Sequence, residues 1–149
     1  MLSIAATHGR AFAARTRRAI GIAATAALAA GCGTTSMLVP TAQTQAAIGQ
    51  IRAHVDGNNN TVLRVSAEHL VQPTRLASNL TAYVVWIRPA TGGDFVRAGR
   101  LVPDPTGSAS FSTSTPWRDV ELIVTAEQTP AVTRPAETVV LRGYASPRQ

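Results

Sequence analysis

The stretch IGQIRAHVDGNNNTVLRVSAEHL, residues 48–70, decides the fold. Apolar and polar residues alternate in both of its halves, with the inward positions at Ile51, Ala53, Val55, Leu63, Val65 and Ala67. A period of two places one side of each segment in a core and the other in water. The DGNNN sequence between them, residues 56–60, is rich in residues that tolerate a positive φ. The stretch therefore predicts an antiparallel β-hairpin.

Further strand-like segments follow, at residues 80–88, 95–102, 108–114, 119–127 and 137–144. The first of these, LTAYVVWIR, is apolar on both faces, which is typical of a central strand covered on both sides. Short strands at this spacing, without a long amphipathic helix, favour an all-β fold. We expect an antiparallel immunoglobulin-like β-sandwich of about seven strands over residues 48–145, followed by a disordered tail at residues 146–149.

The N-terminal segment has the organisation of a signal peptide. Residues 19–30 form an uncharged run of twelve residues, shorter than the roughly 20 that span a bilayer. The run follows Arg15, Arg17 and Arg18, and its length suits the apolar region of a secretory signal. The sequence therefore predicts a signal peptide over residues 1–31.

The sequence LAAGC, residues 28–32, resembles the processing site of bacterial lipoproteins and holds the only cysteine of the chain. The resemblance implies cleavage between Gly31 and Cys32, and lipid attachment to the Cys32 thiol with fatty acids such as palmitate. The alternative is an ordinary secretory signal cleaved near Ala30, with Cys32 incidental. A single cysteine excludes a disulfide within the chain.

Residues 32–47 follow as the predicted lipid anchor and a flexible tether, because they are small and polar and include Pro40. By the same resemblance, Gly33 after the cysteine implies the outer membrane in a Gram-negative cell. The predicted location is the bacterial cell envelope, with the domain on the periplasmic or extracellular side.

The net charge of +6 and the pI of about 11.2 suggest a nucleic-acid-binding protein, but the arrangement of charge argues against it. Four of the fourteen basic residues, all arginine, precede the apolar run, and all eight acids follow it. The ten remaining arginines and eight acids leave a net charge of +2, with the arginines dispersed along the sequence. Phosphate-binding surfaces need clustered positive charge. We therefore expect the membrane and an unknown envelope protein as partners, and no nucleic acid.

A longer resemblance covers about residues 80–141. It is carried by AYVVWIRPATGGDFVRAGRLVPDPTGSASFSTSTPWRDVELIVTAEQ, residues 82–128, with its aromatic strand, its GG and DPTG turns and its VELIVTAE strand. This pattern resembles the extracytoplasmic C-terminal domain of anti-sigma-K-type factors and related envelope lipoprotein domains. The resemblance implies an immunoglobulin-like sensor or scaffold domain, and it brings no catalytic residues.

The candidate metal ligands are His54 and His69. The predicted hairpin could bring them together with Glu68, but a metal site needs three or four ligands of fixed geometry. Solvated histidines on a strand face are the favoured interpretation. Similarly, Asp119 and Glu121 share a strand face as paired catalytic carboxylates do, but a solvated face with arginine partners is the favoured interpretation.

Trp117 follows Pro116 in a turn and has two interpretations: an exposed anchor for a protein partner, or a cap on one end of the core. The sequence contains no nucleophile elbow, zinc-protease helix or phosphate-binding glycine loop. We therefore expect a non-enzymatic lipoprotein that binds, scaffolds or senses, without a cofactor or a small-molecule substrate. The alternatives are a metal-binding protein or enzyme using His54 and His69, and a purely structural module.

Overall fold

A computed structural model describes residues 33–44 and 46–148. The predicted signal peptide and Cys32 lie outside these residues. The described chain is all-β, with short 3₁₀ turns at Ala42–Thr44 and Pro73–Arg75. Its eight strands are β1 (Thr34–Pro40), β2 (Ile48–Val55), β3 (Thr61–Glu68), β4 (Ala82–Pro89), β5 (Val96–Leu101), β6 (Ala109–Thr115), β7 (Val120–Glu127) and β8 (Val139–Ala145).

All eight strands belong to one antiparallel sheet in the order β5-β4-β7-β8-β1-β2-β3-β6. The sheet curls until its two edge strands approach each other. At this seam Gly99 of β5 lies against the ring of Phe111 in β6, so closely that a Cβ atom at position 99 would overlap the ring. The sheet is therefore nearly closed around a single interior, where the sequence predicted a two-sheet sandwich.

The strand β1 corrects the predicted tether. Residues 34–38 pair with β2, and Val39 and Pro40 pair with β8, so β1 joins the two halves of the sheet. Leu38 is its one fully buried side chain, and it fills the space left by Gly49 and Gly143. A strand with one buried residue has almost no apolar alternation, which is why its composition suggested a flexible segment. The strand count is therefore eight and not about seven.

The predicted hairpin between β2 and β3 is confirmed. The two strands pair without interruption from Ile48 opposite Glu68 to Val55 opposite Thr61. In the connecting turn the Asp56 carboxylate accepts hydrogen bonds from the backbone N–H groups of Asn58 and Asn60, each at 2.9 Å. The turn chemistry expected from DGNNN thus fixes the register.

The strand β4 is covered on both sides, as its sequence predicted. Tyr83 and Val85 face the main interior. Val84 and Trp86 face outward into a second cluster with Ile123, beneath partly buried residues of the neighbouring loops and strand, namely Phe95, Val132 and Val139. The long connection between β7 and β8 therefore packs over the outer face of β4 and β7.

The eight strands and both apolar clusters lie within the described residues 33–44 and 46–148, and we therefore expect a chain of residues 33–149 to fold on its own. Among these residues, none of the helical segments has the length and hydrophobicity needed to cross a membrane.

Stability at alkaline pH is expected to depend on Tyr83. Its side chain is 1% exposed, its hydroxyl donates a 2.9 Å hydrogen bond to the carbonyl of Val71, and burial raises its pKa to about 12. Because the folded pKa exceeds the unfolded value of about 10, this stabilisation is complete below pH 10 and is lost as the pH rises through 12. Urea unfolding between pH 8 and 12 should show a loss of up to about 3 kcal/mol.

The Tyr83→Phe variant provides the control for this prediction. It should lose about 1 kcal/mol at neutral pH with the hydrogen bond, and it should lack most of the alkaline decline. Equal alkaline slopes in the two proteins would contradict the assignment to Tyr83.

Candidate functional site

The candidate site is the outer surface of four adjacent strands, β8, β1, β2 and β3. On these strands the inward side chains fill the core, including Leu38, Ile51 and Leu63. Eight of the alternating outward positions surround β1, and together we call them the β1 face: Thr35, Met37, Val39, Arg52, His54, Arg64, Arg142 and Tyr144. The described chain begins at this face with Gly33.

One half of the β1 face is apolar and exposed. Met37, Val39 and Tyr144 are 58%, 67% and 54% exposed, values unusual for large apolar side chains brought together at one place. They line one groove of about 650 Å³ together with Pro40 and Val139. The groove lies where β1 changes its pairing partner from β2 to β8, beginning with Val39 opposite Arg142.

The other half of the β1 face is cationic. Arg52 and Arg64 lie directly opposite each other in the ladder between β2 and β3, and Thr35 lies opposite Arg52 on the other side. Both arginines line a hollow with Gly33 and His54. Like charges at directly opposed positions of a sheet destabilise it.

No acid compensates this pair within the described part of the chain. The two salt bridges found there both involve Glu121, which lies 2.6 Å from Arg88 and 3.8 Å from Arg142. Arg52 and Arg64 belong to neither. The dispersed arginines of the sequence are thus partly gathered by the fold into one unneutralised pair.

The predicted histidine ligands are not brought together. His54 lies on β2 opposite Val62, near the turn at one end of the hairpin. His69 follows the other end of β3, has a φ of 56° and lines a different hollow with Gln72 and Asp104. Across residues 33–44 and 46–148 no group of three or more His, Cys, Asp or Glu residues is arranged to hold a metal ion. The geometry therefore offers no joint site for the metal-binding alternative.

The hollow beside His69 is built by turn hydrogen bonds. The Asp104 carboxylate accepts the backbone N–H of Thr106 at 2.8 Å, that of Ser108 at 3.0 Å and the Thr106 hydroxyl at 2.6 Å. The hydrogen bond from the Thr106 side chain is the main cause that lowers the pKa of Asp104. This carboxylate is therefore occupied in stabilising the predicted DPTG turn.

Glu121 is buried, which differs from the predicted solvated face, but it has the predicted arginine partner. It is 3% exposed, its Oε2 accepts a hydrogen bond from Nε of Arg88 at 2.7 Å, and the same oxygen forms a salt bridge with Nη2 of Arg88 at 2.6 Å. The Arg88 guanidinium also lies 4.4 Å from the ring centroid of Phe95. Asp119 is exposed and outside this pair. The arrangement is that of a structural ion pair between β4 and β7.

Trp117 is half-buried and packs against the main core, in the position expected of a cap. Its backbone N–H donates a 3.4 Å hydrogen bond to the Thr115 hydroxyl. Gly31 and Cys32, the predicted cleavage and lipid-attachment residues, lie outside the described residues.

Sequence reasoning missed the Arg52–Arg64 pair, although the signal was present. The hairpin register that pairs Val55 with Thr61 necessarily pairs Arg52 with Arg64 three residues further along each strand. A scan against models of known protein families and a search of curated proteins find no match for this chain.

Proposed function

We propose that the protein is a membrane-anchored bacterial envelope lipoprotein whose non-catalytic β-domain binds, scaffolds or senses. Its signal peptide is removed and Cys32 carries the lipid, in the outer membrane where the cell is Gram-negative. The observation that carries this proposal is the LAAGC sequence at residues 28–32, followed after one residue by the first strand at Thr34. The linker between the proposed lipid anchor at Cys32 and the first strand is therefore a single residue, Gly33.

Within the all-β fold, we propose the narrower description of an immunoglobulin-like module, on the resemblance of residues 80–141 to the extracytoplasmic domain of anti-sigma-K-type factors. The sheet divides within β1 into a β1-β2-β3-β6 half and a β5-β4-β7-β8-β1 half, with one core between them. Such modules use their exposed surfaces to hold partners, and an envelope protein is the partner we propose. Trp117 contributes to such a contact only through the exposed part of its ring.

The anchor is tested by Cys32→Ser in cells fed with an alkyne-bearing palmitate. The label on the protein should be lost, and the precursor with its apolar run should accumulate, because the thiol is the acceptor of the lipid. The readouts are the fluorescence of the conjugated label and the mass of the mature N-terminus.

The matched control moves the only cysteine by four positions, as Cys32→Ser with Ser36→Cys. This chain has the same composition as the natural protein and should also stay unlabelled, since position 36 lies outside the processing site. Cleavage and labelling that persist in Cys32→Ser would refute the anchor.

A further inference from the structure

We propose that the β1 face is the membrane-facing surface of the domain and that its occupant is an anionic phospholipid bilayer. This inference rests on the proposed function for the lipid at Cys32 but adds an orientation. It assigns the apolar groove to the lipid interface and the arginine pair to lipid phosphates.

The chain path brings the bilayer to this face. Residues 1–32 precede the described chain and lead into it at Gly33, which lines the hollow of Arg52 and Arg64. An acylated residue at position 32 is one peptide unit from Gly33, so it lies within about 4 Å of it along the chain. With β1 fixed in the centre of the sheet, the domain has no tether with which to turn this side away.

The apolar residues have the chemistry of the lipid interface. Met37, Val39 and Tyr144 line one groove, and their side chains are exposed to solvent when no partner surface covers them. Apolar side chains inserted to the headgroup boundary bind a membrane in proportion to the buried area. Tyrosine suits that depth because its ring is apolar and its hydroxyl is polar.

The charges on the same face select an anionic surface. Arg52 and Arg64 repel each other across the ladder, and a phosphate between them would relieve that repulsion. The backbone N–H of Arg148 donates to the Thr34 hydroxyl at 3.2 Å, which places a further arginine beside the start of β1. The one acidic residue among the outward positions of β8, β1, β2 and β3 is Glu68, at the far end of β3 opposite Ile48.

The orientation is measured on residues 32–149, coupled through the Cys32 thiol to a maleimide-bearing lipid in vesicles of phosphatidylcholine and phosphatidylglycerol. Tyr144→Trp is the reporter on the β1 face, and Val96→Trp is its control. Their native side chains are 54% and 53% exposed, and β5 lies four strands away from β1 in the sheet. Nitroxide-labelled lipids quench tryptophan at the membrane, and the unsubstituted chain corrects for Trp86 and Trp117.

Quenching at position 144 should exceed quenching at position 96 by about threefold or more, because only the β1 face reaches the headgroups. Equal quenching at the two positions, or stronger quenching at position 96, would overturn the orientation. Circular dichroism of each variant checks that the sheet is intact.

The charge is tested with the uncoupled domain, residues 33–149, by sedimentation with the same vesicles. Arg52→Glu with Arg64→Glu should weaken binding by about tenfold or more, since each arginine near an anionic surface contributes on the order of a fivefold affinity gain. The control, Arg75→Glu with Arg100→Glu, makes the same change in net charge at exposed positions outside the face and should bind as the natural domain does. An equal loss in both variants would show that only net charge matters and would refute the site.

Vesicles of phosphatidylcholine alone separate apolar binding from electrostatic binding. Binding that is unchanged without phosphatidylglycerol would refute the role of the arginine pair.

The proposed orientation and the proposed anchor can be refuted independently of each other. Chemical coupling supplies the anchor in the quenching experiment, so its result does not depend on lipidation in cells. Loss of palmitate labelling in Cys32→Ser together with equal quenching at positions 144 and 96 would keep the anchor and reject the orientation.

Discussion

A chain that begins at residue 46 is expected to lose its cooperative unfolding transition, whereas a chain that begins at Gly33 keeps it. The shorter chain lacks β1, which lies between β8 and β2 in the middle of the sheet. Its removal exposes the edges of both neighbours. Among the described strands, β1 alone joins the two halves through backbone hydrogen bonds, because β5 and β6 meet by packing at the Gly99–Phe111 seam.

The expected size of this effect follows from one side chain and its ladder. Leu38 is 2% exposed, and replacing a buried leucine with alanine costs about 2–5 kcal/mol. Each lost backbone hydrogen bond adds about 0.5–1.5 kcal/mol, and β1 forms seven register pairs with its neighbours. The total is comparable to the whole stability of a domain, about 5–15 kcal/mol.

Urea unfolding followed by tryptophan fluorescence measures the effect of the truncation and the effect of each substitution, because Trp86 is fully buried. Leu38→Ala should lose about 2–5 kcal/mol. Met37→Ala, which changes the exposed neighbour on the same strand, should stay within about 0.5 kcal/mol of the natural protein. A chain from residue 46 that unfolds cooperatively at the same urea concentration would show that residues 34–40 act as the tether the composition suggests.

The hairpins were predictable from sequence because their determinants are local. The DGNNN turn and the alternation around it specify β2 and β3 within residues 48–70. The strand β4 is apolar on both faces, and this pattern predicts that both of its faces are covered. The strand β1 was not predictable in this way. Its pairing with β2 is local, but β1 has one buried residue and no apolar alternation to identify it as a strand. Its pairing with β8, such as Val39 with Arg142, joins residues that are distant along the chain.

The same distinction applies to the candidate site. The arginine pair follows from the register of one hairpin, so the sequence contains it. The apolar groove combines Met37 and Val39 with Tyr144, and only the closure of β1 against β8 brings these residues together. The buried state of Glu121 likewise depends on Arg88 from another strand and on the loops packed around Phe95.

The ion pair between β4 and β7 is expected to respond unequally to the loss of each partner. Arg88→Met should destabilise the protein by about 3 kcal/mol, because it leaves the Glu121 carboxylate, 4% exposed as a side chain, without its close cation. Arg142 lies 3.8 Å away and is half exposed, so it replaces only part of the lost interaction. Glu121→Met should cost about 1 kcal/mol, since the Arg88 side chain is 31% exposed and its guanidinium can turn to water.

The double variant, Arg88→Met with Glu121→Met, separates the value of the pair from the penalty for breaking it. Two apolar side chains of similar volume should restore stability to within about 1 kcal/mol of the natural protein, because neither leaves a buried charge. Urea unfolding of the four proteins gives the coupling energy. Costs that simply add in the double variant would mean that Glu121 is solvated and independent of Arg88, and the carboxylate would then be free for chemistry beside Asp119. A recovered double variant would instead identify Glu121 as a structural group that depends on its arginine partner.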